Sequence, residues 1–173
     1  MRKAEIKGYI TNLGKYNEGY LIGEWVTFPI DEDDLAAVFE RIGINEIYEE
    51  FFFTDWEYNE LPDLELGEYE DIDNINELAE ALENLCAWEL DTYAAAVEAW
   101  GVSEVSPDDV GDYNLYTDIS DDYDLGYYYA TEFYTADLEK SPLGNYIDYE
   151  AFGRDIRFES DGAHTSYGWI ERS

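Results

Sequence analysis

The chain has 173 residues, with 9 Lys plus Arg against 43 Asp plus Glu, a formal net charge of −34, and 17% aromatic residues including 17 Tyr and 5 Trp. So much aromatic mass excludes a disordered polyelectrolyte, which leaves a folded acid of one ordinary domain or two or three small ones. The charge disfavours direct contact with DNA, RNA or anionic lipid, no apolar run approaches the ~18 residues of a membrane span, and the basic start Met1-Arg2-Lys3 lacks the apolar segment of a signal peptide.

Ile6, Gly8 and Ile10, then Tyr20 and Ile22 with Trp25 and Thr27, predict two strands within residues 1–30, separated by the turn-rich loop 12–19. Pro29 ends the second run. Asp31 is placed to cap a helix whose first turn holds Glu32, Asp33 and Asp34, where the helix dipole favours acids. Leu35, Val38, Phe39 and Ile42 follow at i, i+3, i+4 and i+7, and Gly43 is a stop. The aromatic run 48–58 predicts another strand, and Leu61-Pro62 opens a linker that runs to Asp73. Asn74 with Glu77 has the spacing of a capping box, ahead of a stripe of Ile75, Leu78, Leu82 and Leu85. A second helix holds Tyr93, Ala96, Val97 and Trp100 and stops at Gly101, and Ser106-Pro107 fits the start of a short helical turn.

Residues 113–119 predict a strand, after which either Ser120 or Asp121 can cap a helix carrying Leu125, Tyr128, Tyr129 and Phe133. Beyond the loop 140–144, Asn145 with Asp148 starts a helix carrying Ile147, Ala151, Phe152 and Ile156, with Arg154 and Arg157 in its last turn. Asp161-Gly162 suggests a hairpin before a final strand at 166–171. The expected fold class is α+β: an elongated chain of three small domains, with α+β units at 1–61 and 106–173 flanking a helical middle at 62–105. Both outer units carry short antiparallel sheets.

The nine basic residues are Arg2, Lys3, Lys7, Lys15, Arg41, Lys140, Arg154, Arg157 and Arg172, so none lies between Ile42 and Glu139. Surface ion pairs cannot be the purpose of the acids there, because the partners are missing. Duplex DNA carries one charge per ~1.7 Å, so a charge of −34 corresponds to roughly 58 Å, or about 17 base pairs. A compact globule of this length is only roughly 40 Å across. The two lengths agree for an elongated molecule, which also relieves the repulsion.

Conventional catalytic constellations are thin. His164, the only histidine, sits in a Gly/Ser/Thr-rich turn and reads as a solvated loop residue. Cys86, the only cysteine, excludes an internal disulfide, fits a reducing cytoplasm, and reads as a small buried apolar residue too isolated for a zinc site. An EF-hand register from Asp121 places Gly126 and Glu132 correctly but puts Tyr123 and Leu125 where carboxylates belong. Neither a metal nor another cofactor is expected. Paired carboxylates suit a glycosidase, but among 43 acids pairs carry almost no information.

Two segments have a distinctive order of aromatic residues and glycines: Tyr9-Ile10-Thr11-Asn12-Leu13-Gly14-Lys15-Tyr16-Asn17-Glu18-Gly19, continuing through Gly23-Glu24-Trp25-Val26-Thr27-Phe28-Pro29-Ile30, and residues 145–156 (NYIDYEAFGRDI). Both closely resemble ArdA-type antirestriction proteins, and 121–133 resembles that family's acidic segment; the middle, 60–105, shares its acidity and helical character. The resemblance implies a non-enzymatic DNA mimic carried on mobile elements. Such a protein occupies the DNA groove of type I restriction-modification enzymes and dimerises through its C-terminal domain. A dimer would carry about −68, the charge of roughly 34 base pairs. On this reading the phosphate-mimicking acids are Asp118, Asp121, Asp122, Asp124 and Glu132, with Asp31, Glu32, Asp33 and Asp34, and with Glu65, Glu68, Glu70, Asp71 and Asp73. The partner is the methyltransferase core of the enzyme, without direct nucleic-acid or membrane binding. The alternatives are a small acidic hydrolase or carbohydrate-binding module, and mimicry aimed at other DNA-binding proteins.

Overall fold

Alternation of buried and half-buried residues along Glu5–Asn12 builds β1, the central strand of the first sheet in a computed structural model that describes residues 3–134 and 137–173. The fold is mixed α and β, with two three-stranded antiparallel sheets. The chain divides into two compact units, Met1–Leu90 and Asp91–Ser173.

In the first unit, β1 pairs on one side with β2 (Gly23–Phe28) and on the other with β3 (Phe51–Asn59). Ile6, Ile10, Val26, Phe28 and Phe53 are buried, and Phe53 sits in a ring cluster, 4.4 Å from Trp56 and 6.1 Å from Phe28. The loop expected at 12–19 instead contains a short helix, α1 (Leu13–Asn17). Fully buried Asn12 explains it: its side-chain oxygen accepts from Lys15 N at 2.9 Å, capping the helix, while its amide donates to Ile42 O at 3.1 Å. The third strand starts at Phe51, not at Tyr48, because residues 45–48 close a turn on the Asn45 side chain.

Helix α2 (Glu32–Ile42) forms where the sequence predicts, capped by Asp31 and ended by Gly43 at φ 80, with Val38 and Ile42 buried. Helix α3 (Ile72–Glu83) starts earlier than expected. Its cap is Asp71, whose carboxylate accepts from Asp73 N and Asn74 N, rather than Asn74. Ile75, Ala79 and Leu82 form its buried stripe, and Leu85 falls beyond its end. Helix α4 (Ala87–Trp100) spans the division between the units, and Tyr93 through Val97 are all buried. Cys86 lies exposed, contrary to the expectation of burial, because it falls at the start of α4, where its carbonyl accepts from Leu90 N at 2.9 Å and its N–H donates to Glu89 at 2.8 Å.

In the second unit, a 3-10 turn (Pro107–Asp112) leads into β4 (Tyr113–Tyr116), which is shorter than the strand expected to reach residue 119. Helix α5 (Asp122–Tyr129) is capped by Asp121, not by Ser120. It widens into a π-helical turn (Ala130–Tyr134), which breaks the 3.6-residue period and leaves Phe133 exposed instead of continuing the buried stripe. A 3-10 turn (Pro142–Tyr146) occupies the residues expected to begin the next helix, so α6 (Tyr149–Glu159) starts after its cap Asp148. Strand β5 (Gly162–Thr165) replaces the hairpin turn expected at Asp161-Gly162, and the reversal falls at Ser166 and Tyr167 before β6 (Gly168–Arg172). The sheet order is β4-β6-β5.

Ile119, Leu125 and Trp169 form the core of this unit, with Tyr116, Tyr128, Tyr129 and Ile156 packed around them. Helices α5 and α6 meet backbone to backbone. A Cβ at Gly126 would lie 1.9 Å from Tyr149 O, and one at Gly153 would lie 1.7 Å from Asp122 O. Among the described residues no helix is long and apolar enough to cross a membrane.

Candidate functional site

Nine of the fourteen candidate acids sit at three helix N-termini. Asp31 caps α2, and Glu32, Asp33 and Asp34 fill its first turn. Asp71 and Asp73 do the same for α3, and Asp121, Asp122 and Asp124 for α5. Two exposed carboxylates about 7 Å apart repel by roughly 0.6 kcal/mol in water. A helix N-terminus stabilises a nearby anion by about 0.3–1 kcal/mol. The two terms are of the same size, so the helix ends offset the cost of crowding the acids.

The first unit brings two of these ends together. The Asn76 side chain, at the start of the second turn of α3, accepts from Ile30 N at 2.8 Å and donates to Ile30 O at 2.9 Å. Ile30 directly precedes the α2 cap, so this pair of bonds ties the acidic start of α2 to the acidic start of α3. Asp31, Glu32, Asp33, Asp34, Asp71 and Asp73 are all exposed.

Glu65, Glu68 and Glu70 lie on the segment read as a linker. It is a strap laid along the outer edge of β3. Phe53 N donates to Glu68 O at 2.8 Å, Trp56 Nε1 donates to Gly67 O at 3.2 Å, and Leu66 N donates to Tyr58 OH at 3.3 Å. Leu64, on the strap itself, is fully buried, and Tyr69 stacks with Phe52 at 6.2 Å. Burial pushes the Tyr58 phenol up to about 12, so it stays neutral beneath these acids. Glu65 and Glu68 point to solvent, whereas Glu70 is half-buried and accepts from Gly67 N at 2.8 Å.

The second unit holds the remaining five, and they differ in kind. Asp118, Asp121 and Glu132 are exposed. Asp124 is half-buried and accepts from Ser120 N at 3.0 Å and Ser120 Oγ at 2.7 Å; these two bonds hold its carboxyl below the usual range. Asp122 is clamped. Arg157 Nε donates to its Oδ1 at 2.8 Å, Arg157 Nη2 to its Oδ2 at 3.0 Å, and His164 Nε2 lies 2.9 Å from Oδ1. The Arg157 guanidinium, aided by His164, holds the Asp122 carboxyl down at about 2. His164 is therefore not a solvated loop residue. It sits half-buried on β5 with its ring edge-on to Trp169 at 4.9 Å. Residues 35 and 42 positions from Asp122 make this clamp, and no local pattern in the sequence signals it.

Among the described residues, most of the few cations are consumed internally. Lys3 pairs with Glu83, Lys7 with Glu5, Lys15 with Glu18, Arg41 with Glu24 at 2.6 Å, Lys140 with Asp137, Arg157 with Asp122, and Arg172 with Asp161. Only Asp122 of the fourteen candidates is used in these pairs. Glu171 is also withdrawn from the surface charge: Tyr116 OH, Tyr129 OH and Trp169 Nε1 all donate to it, at 3.1, 2.8 and 3.1 Å.

The carboxyls of Glu18, Glu24, Glu89, Asp122 and Asp124 are all shifted down, each by hydrogen-bond donors from neighbouring residues. A glycosidase needs a carboxyl raised far enough to donate a proton, and these shifts run the opposite way. The calcium-loop register from Asp121 passes through helical backbone at α5. Among the described residues no group of three or more His, Cys, Asp or Glu side chains is arranged to hold a metal ion. What the arrangement offers is an open display of fixed negative charge, held in place by helix ends and a strap.

No curated protein matches the chain. The description Antirestriction protein (ArdA) belongs to a family whose profile matches residues 8–171, and with nearly the whole chain covered the protein belongs to this antirestriction family.

Proposed function

We propose that the protein inhibits type I restriction-modification enzymes by occupying their DNA groove as a DNA mimic, without catalysis. The observation that carries this reading is the pairing pattern: among the described residues seven basic side chains are spent on internal partners, while Asp31 through Asp34, Glu65, Glu68, Asp71, Asp73, Asp118, Asp121 and Glu132 face solvent. Carboxylates held this way stand in for phosphates. They meet the Lys and Arg of a DNA channel through charge-assisted hydrogen bonds, and docking releases the ions held by both surfaces. Association is then fast and weakens with salt. In this proposal the acids of both units share the contact, and a homodimer in the cytoplasm doubles their number.

The test is competition. Purified protein is expected to displace a labelled duplex from the methyltransferase core of a type I enzyme, more weakly as salt rises, while showing no affinity for the duplex itself. Failure to displace the duplex at low salt overturns the proposal. Scattered neutralisation of acids separates it from a single-site hydrolase, since only a mimic loses activity in gradual steps.

A further inference from the structure

We infer that Asp122 is a positioning residue for the acidic end of α5, not one of the carboxylates that a partner touches. This deepens the proposed function and rests on it. Both Asp122 oxygens are engaged by Arg157 in a bidentate fork, and His164 adds a third contact to Oδ1. The Asp122 and Arg157 side chains are 21% and 33% exposed, so the pair is shielded, and together they carry no net charge outward. A partner's arginine could reach Asp122 only by displacing Arg157.

The clamp acts where it can set the direction of its neighbours. Asp122 is the first residue of α5, and it ties that residue to the last turn of α6 and to β5. Its own carbonyl lies against Gly153, at the close crossing of α5 and α6. Asp121 and Tyr123 flank it in sequence and are exposed. Fixing Asp122 from two sides therefore fixes the angle at which Asp121 leaves the surface. The clamp also neutralises Asp122, and Asp124 is held by Ser120, so the turn's exposed charge rests on Asp121.

The contact and positioning readings predict opposite results for Arg157→Gln. If Asp122 touches the partner, removing Arg157 frees a carboxylate, and inhibition holds or improves. If Asp122 positions the turn, Arg157→Gln and Asp122→Asn both weaken inhibition, by roughly tenfold. Asp122→Asn then leaves the salt dependence of binding unchanged, whereas Asp121→Asn makes it shallower. Arg157→Lys, which keeps the charge and loses the fork, is expected to fall between wild type and Arg157→Gln. Circular dichroism melts establish that each variant is folded at the assay temperature. Should Asp122→Asn fail to fold, the two Arg157 variants carry the test. Hydrogen exchange supplies a readout independent of any enzyme: the first-turn amides of α5 exchange faster in Arg157→Gln while those of α2 do not change. An Arg157→Gln protein that inhibits as well as wild type, or whose α5 amides exchange at the wild-type rate, overturns the inference. If wild type itself fails to displace the duplex, the proposed function fails, and the exchange result still judges the clamp.

Discussion

The starts of α2 and α5 look alike in sequence and differ in the folded protein. Each has an aspartate cap accepting from the backbone N–H three residues on, at 2.8 Å for Asp31 and 2.9 Å for Asp121, and each crowds acids into its first turn. At α2 all four acids are exposed. At α5 one acid is neutralised by Arg157, another is held by Ser120, and the helix is pressed against α6. A row of acids in a sequence is thus no guide to charge presented outward. What decides is which distant cations and hydroxyls the fold delivers to that turn.

The largest effect that would break this comparison is steric. Gly126→Ala puts a methyl group on the Tyr149 carbonyl, and Gly153→Ala puts one on the Asp122 carbonyl. Backbone at a helix crossing cannot step aside as a side-chain tip can. Either substitution is expected to cost about 3 kcal/mol or more and to destabilise the second unit selectively. A calorimetric scan in which the first unit keeps its transition while the second melts early would establish it. An unchanged melt would show that α5 is not held by this crossing.

Next in size is the block Asp31→Asn, Glu32→Gln, Asp33→Asn, Asp34→Asn. Removing four exposed charges from one patch is expected to weaken duplex displacement by roughly a hundredfold and to flatten its salt dependence. Stability should hold or rise, because Asn caps a helix about as well as Asp and the repulsion is gone. The same block at α5 would confuse charge with folding, since Asp122 is part of the clamp.

Asn76→Ala cuts both bonds to Ile30 and leaves two backbone groups to find new partners. The expected cost is about 1–3 kcal/mol in the first unit, with faster hydrogen exchange at the starts of both α2 and α3. This result would separate two acidic ends fixed side by side from two ends that merely share a surface.

Much of the frame was legible from local pattern. The period-two run around Ile6, the Asp31 cap, the Gly43 stop and the α4 stretch from Tyr93 to Val97 each rest on neighbours within a few residues. Asp71 was missed as the α3 cap because Asn74 with Glu77 offers the same local chemistry, and the choice depended on where the strap from β3 delivers the chain. The strap itself read as a linker, since its bonds from Phe53, Trp56 and Tyr58 join residues 8 to 15 apart without periodicity. The acids at 31–34 could be placed at the start of α2 from the local capping pattern. That Asp122 is spent internally could not be read this way, because Arg157 and His164 meet it only through the packing of α5, α6 and β5.

The clamp also gives the second unit a pH response. The Asp122 carboxyl is held at about 2 in the folded protein, below its ordinary value of 3.8. A group depressed on folding contributes stability that is full above its unfolded pKa and fades as pH falls toward the folded value. Arg157→Gln removes the main cause of the depression. The variant should be less stable than wild type above about pH 4, by roughly 1 kcal/mol after solvent screening, and the gap should close near pH 2. Melts of both proteins across this range check the sign; a gap that stays constant with pH would trace the loss to packing of the arginine stem instead.

The smallest effects are the most diagnostic of charge. Asp71→Asn and Asp121→Asn each keep a side-chain oxygen at the cap while deleting one negative charge. Because Asn and Asp are nearly equal as caps, helix stability should change by less than about 0.5 kcal/mol. Duplex displacement should weaken by less than roughly threefold in each, since many carboxylates share the contact and an exposed pair contributes little alone. Both variants should show shallower salt dependence than wild type in the displacement assay. If either one instead abolished displacement with its melt unchanged, the acids would not be sharing the load, and that single cap would be the feature the enzyme recognises.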